Sequence, residues 1–195
     1  MSCRIGFRPN ESSGGAALSA TRVGWAFPDG VWQSVDKEDS SVDNEQIIRR
    51  AYAVAERVDI KGWVDCFTPH GTFTDMSIGV TYQGPDGPTG LGQTVAVFAK
   101  AFPDMHRELY RFVTVGDVVI VELALQGTHK GPLPTPMGAI APTGKTMNAP
   151  CCDVFRLVNG KIQSFHCYPS GTVMFAQLGV LSNIEAAIQG KGVKQ

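Results

Sequence analysis

Apolar positions change their period along this chain, and the changes divide it into parts. Residues 1–42 are rich in Ser, Gly and Asp, carry scattered Phe7, Trp25, Phe27 and Trp32, and hold no sustained period. That stretch reads as a flexible or loosely docked N-terminal tail. From Asp43, the residues Ile47, Ile48, Ala51, Val54, Ala55 and Val58 recur at helical spacing behind Asp43 or Asn44 as an N-cap, which predicts a helix of about four turns. Ile60 to Phe67 sets Trp63, Val64 and Phe67 on one side before Pro69 and Gly71 end the run, a short second helix. Leu91 to Phe102, with Thr89 as cap and Pro103 as terminator, is a third. Between them, Gly71 to Tyr82 mixes Thr, Phe, Ile and Val and closes on Gly84-Pro85-Asp86-Gly87-Pro88, an irregular strand or a small hairpin.

Beyond the third helix the chain reads as strands: Leu109 to Val115, Val118 to Thr128, Lys145 to Val158 and Lys161 to Tyr168. Gly116-Asp117 and Asn159-Gly160 are two-residue turn signals within the two pairs, and Pro132, Pro134, Pro136 and Pro142 mark a long loop joining them. Helices followed by a meander of strands is the α+β order, with helices packed on one face of an antiparallel sheet. Residues 43–182 form the pocket domain, and 183–195 a C-terminal tail.

With 195 residues, 43% hydrophobic, the chain is long enough for one well-cored domain. Seventeen basic against eighteen acidic residues leave a net charge of −1, no field to recruit nucleic acid or an anionic membrane, so a neutral, partly apolar small molecule fits better. Five cysteines without a C-x-x-C pair argue for reduced thiols in a cytoplasmic protein. No membrane span is expected. The four histidines show no i, i+4 pair, so no metal is predicted.

Several pieces stand together in order: Ala101-Phe102-Pro103-Asp104, Gly116-Asp117, Gly127-Thr128-His129-Lys130-Gly131, Thr143-Gly144-Lys145, Asp153-Val154-Phe155-Arg156, Gly160-Lys161-Ile162 and Gln177-Leu178-Gly179. In this series the chain, from about Asn44 to Leu181, resembles the SnoaL-like polyketide cyclases and ester cyclases of the nuclear-transport-factor-2-like fold. The resemblance implies a cone-shaped, curved antiparallel sheet against three N-terminal helices, a cavity at its wide end and a homodimer. The family's cyclases carry an aspartate shortly before Gln-Leu-Gly in a Tyr-x-Asp arrangement, and here Tyr168-Pro169-Ser170 stands in that place. A serine has no carboxylate to take a proton, so the aspartate's role is not transferred to Ser170.

Counting outward from Asn159-Gly160 sets Leu157 opposite Ile162, Phe155 opposite Ser164, Asp153 opposite His166 and Cys151 opposite Tyr168. Opposed residues share a face, so this register predicts a pocket wall on which Asp153 and His166 form an acid/base pair and Tyr168 donates to a ligand oxygen. His129, where the chain enters the proline-rich loop, is a third catalytic candidate. Asp75, Trp63, Phe155 and Ser170 join Tyr168 as substrate-binding candidates. The expected activity is that of a cofactor-independent cyclase, isomerase or lyase acting on a small polyketide-like or terpenoid-like molecule. Two alternatives stand beside it: epoxide hydrolysis, with Asp75 and Asp153 converging on one water, and a non-catalytic binding protein that has lost the family aspartate at Ser170.

Overall fold

The computed structural model describes residues 39–181. The expected C-terminal tail over 183–195, and the N-terminal tail up to residue 38, lie outside the described residues. Helix α1 (Asp39–Glu56) takes in the last four residues assigned to that tail. Its start lies upstream of both predicted caps, and the Asn44 side chain is used elsewhere: its amide donates to the Gly116 carbonyl in the β3–β4 turn at 2.9 Å. α2 (Ile60–Asp65) follows, capped by Asp59, whose carboxylate accepts from Gly62 N–H at 2.8 Å. α3 (Leu91–Ala101) completes the trio and ends before Pro103, as the sequence predicts.

The strands are β1 (Phe67–Asp75), β2 (Val80–Gln83), β3 (His106–Val115), β4 (Val118–Thr128), β5 (Leu133–Thr135), β6 (Gly138–Ile140), β7 (Thr146–Val158) and β8 (Lys161–Pro169). Six of them form one sheet in the order β2-β1-β8-β7-β4-β3, antiparallel throughout except where β1 runs parallel to β8. The proline-rich loop holds the separate two-stranded β5–β6 ribbon, and the chain after β8 forms α4 (Gly171–Leu178), an element the apolar pattern does not announce.

Helices cover one face of the sheet, and the core lies between. Ile48, Ala51, Tyr52, Val54 and Ala55 of α1 and Leu91 and Val95 of α3 are buried against Phe73, Val119, Val121, Leu123, Phe155, Ile162 and Phe165. Burying each large apolar side chain contributes about 1.5–3 kcal/mol. Phe165 lies at the centre of the aromatic part, 4.1 Å from the Phe155 ring, 4.6 Å from Phe73 and 6.2 Å from Trp63. The fold is α+β: a curved, mainly antiparallel sheet with helices on its inner face.

The β7–β8 hairpin corrects the predicted register. Asn159 (φ 49°) and Gly160 (φ 73°) turn with positive φ, as an Asn-Gly turn requires, and Leu157 does pair with Ile162. The next pair is Arg156 with Ser164, so Gln163 is an extra residue on β8. The cause lies in a third strand. Gln163 accepts from Thr68 Oγ1 at 2.9 Å and donates to the His70 carbonyl at 3.3 Å, which ties β8 to the irregular first half of β1. From there Phe155 pairs with Phe165, Asp153 with Cys167, Val154 with His166 and Cys152 with Tyr168.

Candidate functional site

One slip of register moves every later side chain of β8 to the opposite face. Asp153 and His166 therefore sit on opposite sides of the sheet, and the predicted acid/base pair does not form. Asp153 points inward and is 1% exposed. His166 turns outward beside Val154 and Thr74, with its ring edge-on to Tyr168 at 6.5 Å, and Tyr168 itself is 44% exposed.

A cavity of about 340 Å³ opens at the β2 side of the sheet. Its floor is Phe73, Asp75 and Tyr82 of β1 and β2. Its walls are Gln93, Thr94, Val97 and Phe98 of α3, Leu133 to Thr135 of β5, and Met174 with Phe175 of α4. The lining is mainly apolar with a few convergent polar groups, the usual composition of a small-molecule site. Asp75 is the one candidate named from the sequence that lines it, and among the described residues its carboxylate is the only one there. At 6% exposure, its Oδ1 accepts from the Ser77 backbone N–H at 2.9 Å and the Ser77 hydroxyl at 2.6 Å, while Oδ2 accepts no hydrogen bond from the described residues. Across the floor, the Tyr82 hydroxyl is a proton donor at neutral pH like any phenol, and burial and then the Asp75 charge push it further above its ordinary pKa.

The other candidates take other places. Trp63 is buried behind the cavity, where its indole N–H bonds Thr94 Oγ1 at 2.9 Å and so braces a lining residue. Phe155 packs in the core, stacked on Phe165. Ser170 is the N-cap residue of α4, without a side-chain cap bond, and its backbone N–H donates to the Pro150 carbonyl. His129 is fully buried against Phe102, with ring centroids 5.3 Å apart, and Thr143 N–H donates to its Nδ1 at 3.3 Å. That bond and the paired backbone bonds His129 N to Lys145 O and Gly144 N to His129 O close the base of the proline-rich loop.

Asp153 belongs to a second polar group, inside the core. Tyr52 Oη donates to its Oδ2 at 2.7 Å, and Cys151 Sγ lies 3.3 Å from Oδ1 and 3.6 Å from Cys167 Sγ. Burial raises the Asp153 carboxyl above the usual carboxylate range, against the pull of these hydrogen bonds and of Arg107. Burial, then the neighbouring Asp153, drives the Tyr52 hydroxyl well above its ordinary value. The donor atoms of Cys151, Asp153 and Cys167 all lie within 4.8 Å of one another, the described group suited to a cation. Asp75 pairs with Cys167 and Cys167 with Asp153, so the two carboxylates flank one thiol along a single row across the sheet.

Comparison with known proteins agrees with this architecture. The family model of the SnoaL-like domain matches residues 48–165. The chain belongs to the SnoaL-like domain family. Among solved structures, a SnoaL-like polyketide cyclase candidate of Jannaschia sp. CCS1 superposes with a TM-score of 0.58 at 20% identity, covering 73% of this chain and 96% of that one. IdmH of Streptomyces antibioticus, a candidate polyketide cyclase, gives 0.54 at 22%, over 70% and 99%. A Catenulispora acidiphila DSM 44928 protein of ketosteroid isomerase-like fold, solved with trimethylamine, gives 0.57 at 22%, over 69% and 92%. At these identities the likeness is one of fold. No match was found among curated proteins. No helix among the described residues of this SnoaL-like chain is long and apolar enough to cross a membrane.

Sequence reasoning passed over Ser77, Tyr82, Gln93, Thr94, Phe98, Met174 and Phe175 as site residues. The Thr74-Asp75-Met76-Ser77 run carried the one available signal, an Asp followed two residues later by a Ser that can satisfy one carboxylate oxygen.

Proposed function

We propose that this SnoaL-like protein is a cofactor-independent acid/base enzyme of cyclase or isomerase type, acting on a small, largely apolar polyketide-like or terpenoid-like molecule, with Asp75 as its base. The supporting observation is the placement of Asp75: among the described residues the lone carboxylate in a mainly apolar cavity, with one oxygen fixed by Ser77 and the other accepting no bond from them. Proton abstraction beside a carbonyl needs a base held in a fixed direction and a donor for the oxygen that gains charge. Tyr82 is the donor in this reading, on the same floor and protonated at neutral pH as any phenol is. The loss of the family aspartate at Ser170 is then a relocation. A Cβ at Gly171, one residue on, would lie 3.7 Å from Ser77 Cβ, so the Asp75–Ser77 unit stands against the segment where the missing carboxylate would project.

Epoxide hydrolysis through Asp75 and Asp153 has less support. Their strands are separated by β8, so their backbones are about 9–10 Å apart, and Asp153 Oδ2 is already bonded to Tyr52. The test is exchange of the α-hydrogens of an apolar cyclic ketone in D2O, followed by NMR. Catalysed exchange that falls by about 100-fold or more in Asp75→Asn supports the assignment. Equal exchange by the variant removes Asp75 as base, and a ketone that binds without exchanging favours a binding protein. Homodimerisation and a cytoplasmic location remain part of the proposal, the first checked by light scattering.

A further inference from the structure

Two thiols, a carboxyl group and a phenol meet in the core of the domain, one strand away from Asp75, where apolar side chains would pack without cost. A carboxylate there loses its hydration, which is costly unless another partner compensates. We propose that Cys151, Cys167 and Asp153 form a binding site for a thiophilic divalent cation of the zinc class.

Three features of the cluster carry this. The first is spacing. Zinc–sulfur bonds of about 2.3 Å and zinc–oxygen bonds of about 2.0 Å set tetrahedral edges of about 3.8 Å between two sulfurs and about 3.5 Å between sulfur and oxygen. The thiols stand 3.6 Å apart and Cys151 Sγ stands 3.3 Å from Asp153 Oδ1, close to two of these edges, and all three donors lie within 4.8 Å of one another. The second is the support behind the donors. A ligating carboxylate is held in place by a hydrogen bond to its second oxygen, and the Tyr52 hydroxyl supplies that bond to Oδ2 at 2.7 Å, itself packed edge-on to Phe155 at 5.7 Å. The third is charge. Two thiolates and a carboxylate carry three negative charges. A divalent cation balances two, and Arg107, whose guanidinium carbon lies 6.0 Å from the Tyr52 ring centroid, supplies the third positive charge nearby. Binding displaces the two thiol protons to solvent, as metal capture by cysteine does.

The test uses the full chain, reduced and metal-free, titrated anaerobically with Co2+ as a spectroscopic substitute for zinc. The expected result is one Co2+ per chain with a thiolate-to-cobalt charge-transfer band, displaced by Zn2+, and lost in Cys151→Ser and Cys167→Ser. Because those variants change the core, the triple variant Cys3→Ala/Cys66→Ala/Cys152→Ala, which leaves Cys151 and Cys167 as the only thiols, provides the second arm and should retain the full band. Absence of the band in the folded triple variant overturns the site. So does an undiminished band in a folded Cys151→Ser/Cys167→Ser chain.

Discussion

Two aspartates occupy the same row of the same sheet face, one on either side of Cys167, and do opposite things. Asp75 sits at the β1 edge of the cavity, with one oxygen anchored by Ser77 and the other unbonded among the described residues. Asp153 lies two strands further in, beneath Tyr52, with both oxygens engaged by Tyr52 and Cys151. Residue type and facing are shared; depth and partners differ. A carboxylate with an oxygen left over at a cavity wall can exchange protons with a guest, whereas one whose every acceptor is committed holds its neighbours in place.

The sharpest way to break this contrast is to neutralise Asp75. Asp75→Asn keeps the shape and the Ser77 contact, and turnover or ketone exchange should fall by about 100- to 10,000-fold with the melting temperature nearly unchanged. The converse change, Asp153→Ala, should act on stability. It leaves the Tyr52 hydroxyl buried without its acceptor and opens a small void, a loss of about 2–4 kcal/mol readable from urea unfolding. Tyr82→Phe refines the cavity side: removing the donor while keeping the ring should lower turnover by about tenfold and leave folding intact, if the hydroxyl serves the reacting oxygen.

A third aspartate gives the smallest effect. Asp104 is at the surface, its carboxyl held below the usual range by the Thr128 hydroxyl and then the Thr128 N–H, at 2.6 and 2.7 Å. A depressed pKa contributes stability above the unfolded-state value and loses it as pH falls through the folded-state value. Asp104→Asn should therefore lower the melting temperature slightly at neutral pH, with the difference from wild type vanishing in acid. It should not touch turnover.

Much of the architecture could be read from local signals, because local chemistry decides it. The 3.6-residue period of Ile47 to Val58 is set by one helix burying one stripe, and the Asn159-Gly160 turn by two residues that adopt positive φ. The errors arose where a distant strand intervenes. Gln163 bulges because its side chain reaches Thr68 and His70 of β1, about a hundred residues earlier, and nothing in the hairpin itself foretells that. That one residue separated Asp153 from His166 and brought Cys167 to Asp153 instead. Asn44 looked like a cap and proved to be a tie to the β3–β4 turn. The cavity collects β1, β2, α3, β5 and α4, so Asp75 could be named from the sequence as a pocket residue while Tyr82 and Phe175 could not be connected to it.

The most direct measurement compares Asp75→Asn and Asp153→Asn side by side in ketone α-hydrogen exchange, both as near-isosteric neutral replacements confirmed folded by circular dichroism. Asp75→Asn should lose about 100-fold or more while Asp153→Asn stays within a few-fold of wild type. Full exchange in Asp75→Asn together with loss in Asp153→Asn would contradict it and place the chemistry in the buried cluster.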